Sequence, residues 1–346
     1  MRLNYFDYFR GVAIILIVAG HSYYPWTIDT LPEMVIANLI TGGTALFVFI
    51  SGFFFHHVYY PKFQFRNFLI KKVKFVFLPY LILSSIAFIL IVIMLKHPSP
   101  LIIGDTDCIA NCLLLYLKYL WTGRILTAYW YVPFIMIIFA MSPLFIQYIK
   151  LSSVMQLTIF TILVGGSMLI QRPLDNLSPI HSAIYFTPIY LLGIIYSINE
   201  KKISSLLKNK SLAIGTTMLG ISIIQVILNS SYGNYHKSAI FSYAGFDLII
   251  IQKIIMIFFF LSILIKIDNK NVLVLKYLAS ISFALFFLHP WFLKALGYFS
   301  IIDYLSLIPG AIIFPIKTIF VIALCLTTAT LVKKTLYNKS RYIIGY

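Results

Sequence analysis

Residues 5–24, YFDYFRGVAIILIVAGHSYY, decide the fold, because a long apolar run begins beside Asp7 and Arg10 and encloses His21. A helix needs about 20 mostly apolar residues to cross the hydrocarbon core of a bilayer. Ionisable side chains inside such a helix are rare, and they usually line a pathway or a site. The stretch therefore predicts a membrane span that also carries function.

The rest of the chain has the composition of a membrane protein. Of its 346 residues, 61% are hydrophobic and 11% are charged, whereas ordinary soluble domains have about 25% charged residues. The net charge of +17 is compatible with a nucleic-acid partner, but basic residues also collect in the cytoplasmic loops of membrane proteins. We expect an all-α, polytopic membrane bundle that forms a single domain over residues 1–346. Its surroundings are membrane lipids, and no nucleic acid or metal is expected to bind.

Ten apolar runs are long enough to be membrane helices, so the sequence predicts about ten transmembrane helices. A further stretch, 101–122, is interrupted by Asp105 and Asp107 and is predicted to be an interfacial or re-entrant helix. The predicted spans lie near 8–26, 36–58, 75–95, 128–148, 154–170, 181–198, 211–229, 240–266, 276–294 and 307–332.

The loop charges predict the topology. With a cytoplasmic N-terminus, about 19 of the 27 Lys and Arg residues fall in inside segments, about six fall outside, and Lys253 and Lys317 lie within spans. This asymmetry satisfies the positive-inside rule, so both termini are predicted to be cytoplasmic. The six basic residues predicted outside are Lys96, Lys118, Arg124, Arg172, Lys237 and Lys294.

Arg10 and His21 are eleven residues apart, which in an α-helix is about 16 Å along the axis and about 20° around it. Both side chains then lie on one stripe, with Arg10 at the cytoplasmic interface and His21 near the bilayer centre. Asp7 can pair with Arg10 and orient it. A neutral imidazole readily accepts a proton, so His21 is the candidate general base. The alternative is an anchoring arginine and a packing histidine.

The loop after the second predicted span contains four basic residues. Arg66, Lys71, Lys72 and Lys74 either contact anionic lipid headgroups or bind a phosphate-rich cofactor such as coenzyme A. Composition alone supports both interpretations.

Four more residues are candidates for contact with substrate or with a developing oxyanion. Ser51 precedes Gly52, and small residues of this kind allow membrane helices to approach closely. Tyr129 and Trp130 stand where an interfacial aromatic belt would lie, and His289 precedes a proline near the end of a predicted span.

Taken in order, these motifs resemble the acyltransferase family 3 membrane proteins. Asp7-Tyr8-Phe9-Arg10-Gly11 followed by His21 is similar to the N-terminal signature of that family. The other matching segments are FVFISGFFF (47–55), FLIKKVKFVFLPY (68–80), YWYVPFIMIIFAMSPLF (129–145) and SFALFFLHPWF (282–292).

The resemblance implies a multi-pass O-acyltransferase of the bacterial inner membrane. Such proteins move an acyl group, usually acetyl from cytoplasmic acetyl-CoA, onto a hydroxyl of a lipid-linked or growing surface glycan such as O-antigen, capsule or exopolysaccharide. The essential residues of the family correspond to Arg10 and His21, and its basic pair to Lys71 and Lys72. Lysines replace the usual arginines there, which keeps the charge but loses the bidentate fork.

Two chemical schemes and two other functions remain open. His21 either acts as general base on the acceptor hydroxyl or carries the acyl group as a relay. A glycan exporter or flippase without chemistry would also have many apolar spans with buried polar residues, and a membrane sensor could use the same fold. An acyltransferase, unlike an exporter, must release the free thiol of CoA.

Overall fold

A computed structural model describes residues 3–23, 28, 30–104, 106, 108–229, 232–298 and 310–346. Of the described residues, 79% are helical. Backbone groups in hydrocarbon find no water to bond with, and a helix satisfies them within one segment. Two short parallel strands, β1 (Arg172–Pro173) and β2 (His236–Lys237), pair with each other in the described part. The predicted all-α class is confirmed.

The described residues of the first part of the chain form eight α-helices. Three wider π-helical stretches, Phe55–Tyr59, Val73–Phe77 and Phe88–Met94, continue neighbouring helices, and such stretches are frequent at functional sites. The helices are α1 (Asn4–Ser22), α2 (Leu31–Ile40), α3 (Thr44–Phe54), α4 (Phe65–Lys72), α5 (Leu78–Ala87), α6 (Ile109–Thr122), α7 (Tyr131–Ala140) and α8 (Ser142–Ile149).

Among the described residues of the second part, nine α-helices follow. They are α9 (Ser153–Ile170), α10 (Pro179–Ile198), α11 (Glu200–Leu207), α12 (Ser211–Asn229), α13 (Ile249–Leu264), α14 (Leu273–Ser280), α15 (Ser282–Tyr298), α16 (Gly310–Leu336) and α17 (Ser340–Ile343).

Seven helices in the described part are long and apolar enough to cross a membrane, or up to nine if each of two bent pairs is one span. The bends are 54° between α7 and α8 and 74° between α14 and α15. These nine segments correspond to nine of the ten predicted spans. The tenth, 8–26, falls on α1, which is not among the seven to nine and ends earlier, at Ser22.

The stretch predicted to be interfacial or re-entrant contains α6. This helix has 14 residues, which is too short for a membrane crossing of about 20 residues. Asp105 and Asp107 lie outside the described residues. The cytoplasmic position of both termini stays a prediction from the loop charges.

The centre of the bundle is α10, in which 83% of the apolar window is buried, against 17% for α9 and for α12. Two glycines let α10 approach α3. A Cβ at Gly52 would overlap the carbonyl oxygen of Tyr190, and one at Gly193 would overlap that of Phe49. This confirms the close approach predicted from Ser51 and Gly52, and it places α3 between α10 and α1.

We expect Gly193→Ala to lower the free energy of unfolding by about 2 kcal/mol, because the added methyl overpacks a contact between two backbones. Heat unfolding in detergent measures this as a lower midpoint temperature. Gly165→Ala in α9 is the matched control, since no heavy atom lies within 4 Å of a Cβ there. Equal midpoints for the two variants would contradict the packing.

Candidate active site

Helices α1 and α15 share polar contacts at two levels. Arg10 Nη2 donates to Ser282 Oγ over 3.1 Å. About two turns further along α15, the His289 ring stacks on the His21 ring, with 5.5 Å between centroids. The predicted stripe is therefore confirmed, because both of its polar residues face the same helix.

Arg10 is held from two sides. Its guanidinium lies 4.0 Å from the Asp7 carboxylate, so the predicted pairing is present. Ser282, its other partner, is the first residue of α15 after the 74° bend. The ring of Phe54 lies 5.9 Å from the guanidinium carbon. These contacts fix Arg10 at the edge of a cavity.

This cavity, the Arg10 cavity, has a volume of about 320 Å³. Three cationic side chains line it: Arg10, Lys72 and Arg341. The remaining walls are mainly aromatic and aliphatic side chains of α3, α7 and the π-helical stretches. Arg341 is exposed and Arg10 and Lys72 are partly buried, so water screens part of their charge, and the three cations together attract an anion.

Lys72 reaches the cavity through contacts with aromatic rings. Its ammonium lies 4.4 Å from the ring centroid of Phe139, 4.7 Å from that of Tyr59 and 5.1 Å from that of Phe68. Ring faces attract cations electrostatically. The aromatic surroundings therefore hold the ammonium in place beside the cavity.

The four basic residues of the loop are not equivalent. Lys72 lines the Arg10 cavity, whereas Lys71 lines a neighbouring cavity of about 120 Å³. Tyr59 lines both cavities. Arg66 and Lys74 are exposed and line neither. Lys71 and Lys72, the basic pair that the family resemblance indicated, therefore line two different cavities.

Ser51, a candidate from the sequence, also lines the Arg10 cavity. Tyr131 lines the same cavity. The structure places Ser51 with Arg10 and not with His21. Tyr131 was missed as a candidate because it is the third member of an aromatic run.

His21 lies in the last turn of α1, since the helix ends at Ser22 and not at residue 26 as the predicted span had it. Its ring is half-buried, and Nδ1 lies 3.3 Å from Thr127 Oγ1. It lines a second cavity, the His21 cavity, of about 560 Å³. Because the helix ends here, the imidazole is open to this cavity instead of being enclosed by turns on both sides.

Cationic side chains also gather around His21. Arg124, Lys294 and Lys317 line the His21 cavity, and Arg172 lies within electrostatic reach of the imidazole. All but Lys317 belong to the minority of basic residues predicted outside. In the sequence, these residues could have been noticed because they are basic residues predicted on the outside, against the positive-inside rule.

His289 is fully buried behind His21. Its Nδ1 lies 2.9 Å from the carbonyl oxygen of Leu285. A carbonyl only accepts, so Nδ1 carries the proton and Nε2 of a neutral ring is left as an acceptor. In the described part of the chain, Nε2 has no hydrogen-bond partner.

Tyr129 contacts α15 and Trp130 contacts Arg172, and these contacts hold their partners in place. The hydroxyl of Tyr129 donates to the Phe287 carbonyl over 2.9 Å and accepts from Trp291 Nε1 over 3.0 Å. Its one proton is therefore engaged in holding α15, which leaves none for an oxyanion. The ring of Trp130 lies 4.9 Å from the guanidinium carbon of Arg172.

Arg172 is the main residue that sequence reasoning missed. It lies between α9 and α10, is 3% exposed, and donates from Nη2 to Asn176 Oδ1 over 3.1 Å. Burial lowers its pKa to about 10, so it stays charged at neutral pH. The positive charge at this end of the bundle comes from arginines and lysines, Arg124 and Arg172 among them.

The two cavities differ in what they can do. The Arg10 cavity can hold an anionic group, and the His21 cavity presents a base beside several cations that would stabilise a developing negative charge. Among the described residues, no group of three or more His, Cys, Asp or Glu side chains could hold a metal ion.

Comparison with known proteins gives one match. No curated protein and no solved structure matches the chain. The model of acyltransferase family 3, described as an acyltransferase domain, matches residues 3–330. That range runs from α1 into α16 and contains every candidate residue named from the sequence. The chain therefore belongs to acyltransferase family 3.

Proposed function

We propose that the protein is an O-acyltransferase of the bacterial inner membrane. It takes an acetyl group from cytoplasmic acetyl-CoA and places it on a hydroxyl of a lipid-linked or growing surface glycan. Family membership supports acyl transfer. The observation that carries the rest is the arrangement along α1, with a cation-lined cavity at Arg10 and a histidine-bearing cavity about 16 Å further on.

The Arg10 cavity is the donor end in this proposal. Arg10 and Lys72 bind phosphate oxygens of CoA through charge-assisted hydrogen bonds, which are the stronger class. The exposed Arg66 and Lys74 raise the local concentration of the anionic donor. The loop charges put this end in the cytoplasm, where acyl-CoA is available.

The His21 cavity is the acceptor end. With Nδ1 donating to Thr127, His21 Nε2 takes the proton of the acceptor hydroxyl while that oxygen attacks the thioester carbonyl carbon. The carbon–sulfur bond then breaks, and the CoA thiolate receives the proton from the imidazolium. Arg124 and Lys317 stabilise the oxyanion electrostatically.

The acyl relay differs in one step. His21 Nε2 first attacks the thioester and releases CoA, and the acceptor hydroxyl then attacks the acyl-imidazole. In both schemes the pantetheine arm extends from the Arg10 cavity along the contact between α1 and α15. Both schemes therefore require His21 and release one thiol for each acyl group transferred.

We expect His21→Ala to lower the rate of thiol release from acetyl-CoA at least about 100-fold, the contribution of a positioned general base. The purified protein in detergent, supplied with crude surface glycan and a thiol-reactive dye, provides the measurement. His57→Ala is the control, because His57 is exposed and stacks on Phe53 away from both cavities.

Two results would contradict this role. Equal thiol release by wild type and His21→Ala would make His21 a packing residue. Glycan movement across vesicles without any thiol release would indicate the exporter in place of the acyltransferase.

We expect Lys72→Met to raise the KM for acetyl-CoA about tenfold, since it removes one charge-assisted hydrogen bond of about 1.4 kcal/mol and keeps the aliphatic stem. Lys74→Met is the matched control, two residues away and exposed. The family resemblance points to Lys72 and not to Lys74, and of these two lysines Lys72 is the one that lines the Arg10 cavity. A larger effect at Lys74 than at Lys72 would place the donor outside the Arg10 cavity.

A further inference from the structure

Residues 337–346 form a C-terminal hook that folds back on the bundle. It consists of a 3-10 turn (Tyr337–Lys339), α17 and the last three residues. Ser340 is fully buried, and its hydroxyl lies within hydrogen-bond distance of the main-chain oxygens of both Tyr337 and Tyr346, either of which can accept its proton. Ile344 is 3% exposed. The hydroxyl of Ser340 therefore closes the hook, and the buried side chain of Ile344 packs the hook against the bundle.

The hook packs beside the partner of Arg10. Gly345 has a φ of +79°, and a Cβ there would lie 2.8 Å from the Cβ of Phe283. Phe283 follows Ser282, which accepts the hydrogen bond from Arg10. The hook thus contacts α15 at the level where α15 holds the arginine of α1.

Arg341 extends from the hook into the wall of the Arg10 cavity. Its guanidinium carbon lies 3.9 Å from the ring centroid of Phe75, and Tyr342 stacks on the same ring at 5.6 Å. Arg341 is also within electrostatic reach of Tyr59, whose ring carries the ammonium of Lys72 at 4.7 Å. Two cations from distant parts of the chain are therefore gathered around one tyrosine.

The lining of this cavity carries a net positive charge. Arg10, Lys72 and Arg341 line it, and no carboxylate is among the described residues that do so. Asp7, which pairs with Arg10 at 4.0 Å, offsets part of that charge from outside the lining. Like charges among apolar walls repel one another, and a polyanion removes that repulsion while gaining charge-assisted hydrogen bonds. An arginine also offers the planar fork that fits a phosphate and that lysine lacks.

We propose that the hook supplies a specificity-determining residue, with Arg341 binding phosphate groups of the acyl donor opposite Arg10 and Lys72. This inference rests on the proposed function. Arg341 lies beyond residues 3–330, which match the family, so the family resemblance does not assign it. The donors selected in this way carry a phosphorylated nucleotide, as acetyl-CoA does, and S-acetylpantetheine lacks the recognised groups.

The test compares two donors on the full-length protein in detergent. We expect Arg341→Gln to raise the Kd for CoA, measured by calorimetry, and the KM for acetyl-CoA about tenfold. The rate with S-acetylpantetheine stays within about twofold, because that donor has no phosphate. Arg341→Lys recovers part of the affinity, since the charge returns without the fork.

Two further variants separate binding from folding. Lys339→Gln, an exposed basic residue of the same hook, leaves Kd and KM unchanged. Gly345→Ala keeps every charge but disturbs the docking against Phe283, and it raises the Kd for CoA as well.

The outcomes separate this inference from the proposed function. If Arg341→Gln binds CoA as wild type does, and wild type transfers acetyl groups, the role of Arg341 is overturned and the proposed function stands. An equal loss with both donors would make Arg341 structural and would also overturn the inference. If wild type neither binds CoA nor releases thiol, both fail.

Discussion

The contact between α1 and α15 is the interaction on which the candidate site depends. An ionisable side chain between apolar helices is costly unless neighbouring groups compensate for its lost hydration. Here Arg10 is compensated by Asp7 and Ser282, and His21 by His289 and the hydroxyl of Thr127. The bend before Ser282 makes this possible, because it begins a new helix where the guanidinium needs an acceptor.

Basic residues lie near both ends of the contact between α1 and α15. Most collect at the predicted cytoplasmic end, where the positive-inside rule puts them. Three of the six predicted on the other side lie around His21, where Arg124 and Lys294 line the cavity and Arg172 is buried against Trp130. Cations retained against the topological rule and collected around a base are what a reaction with a negatively charged transition state requires.

The segment of α1 between the two cavities is apolar, and most of it is buried, from Ala13 and Ile14 to Ile17 and Val18. It separates a site for a highly charged donor from a site for a polar acceptor. An acetyl thioester is neutral and therefore compatible with apolar surroundings of this kind, whereas the phosphates of the donor are not. In the proposed reaction this difference in polarity lets an acyl group pass while the nucleotide stays at Arg10.

The sequence by itself determined the all-α class, nine of the helical spans and the shared stripe of Arg10 and His21. These features depend on local periodicity and on runs of apolar residues, and both can be read directly from the sequence. It did not distinguish Lys72 from Lys71, since the two are adjacent in one basic run and differ in the cavity that each one lines. Nor did it bring Arg341 to Arg10, because contacts between residues more than 300 positions apart follow from the packing of whole helices. Tertiary structure alone decided which of many similar cations face a common cavity.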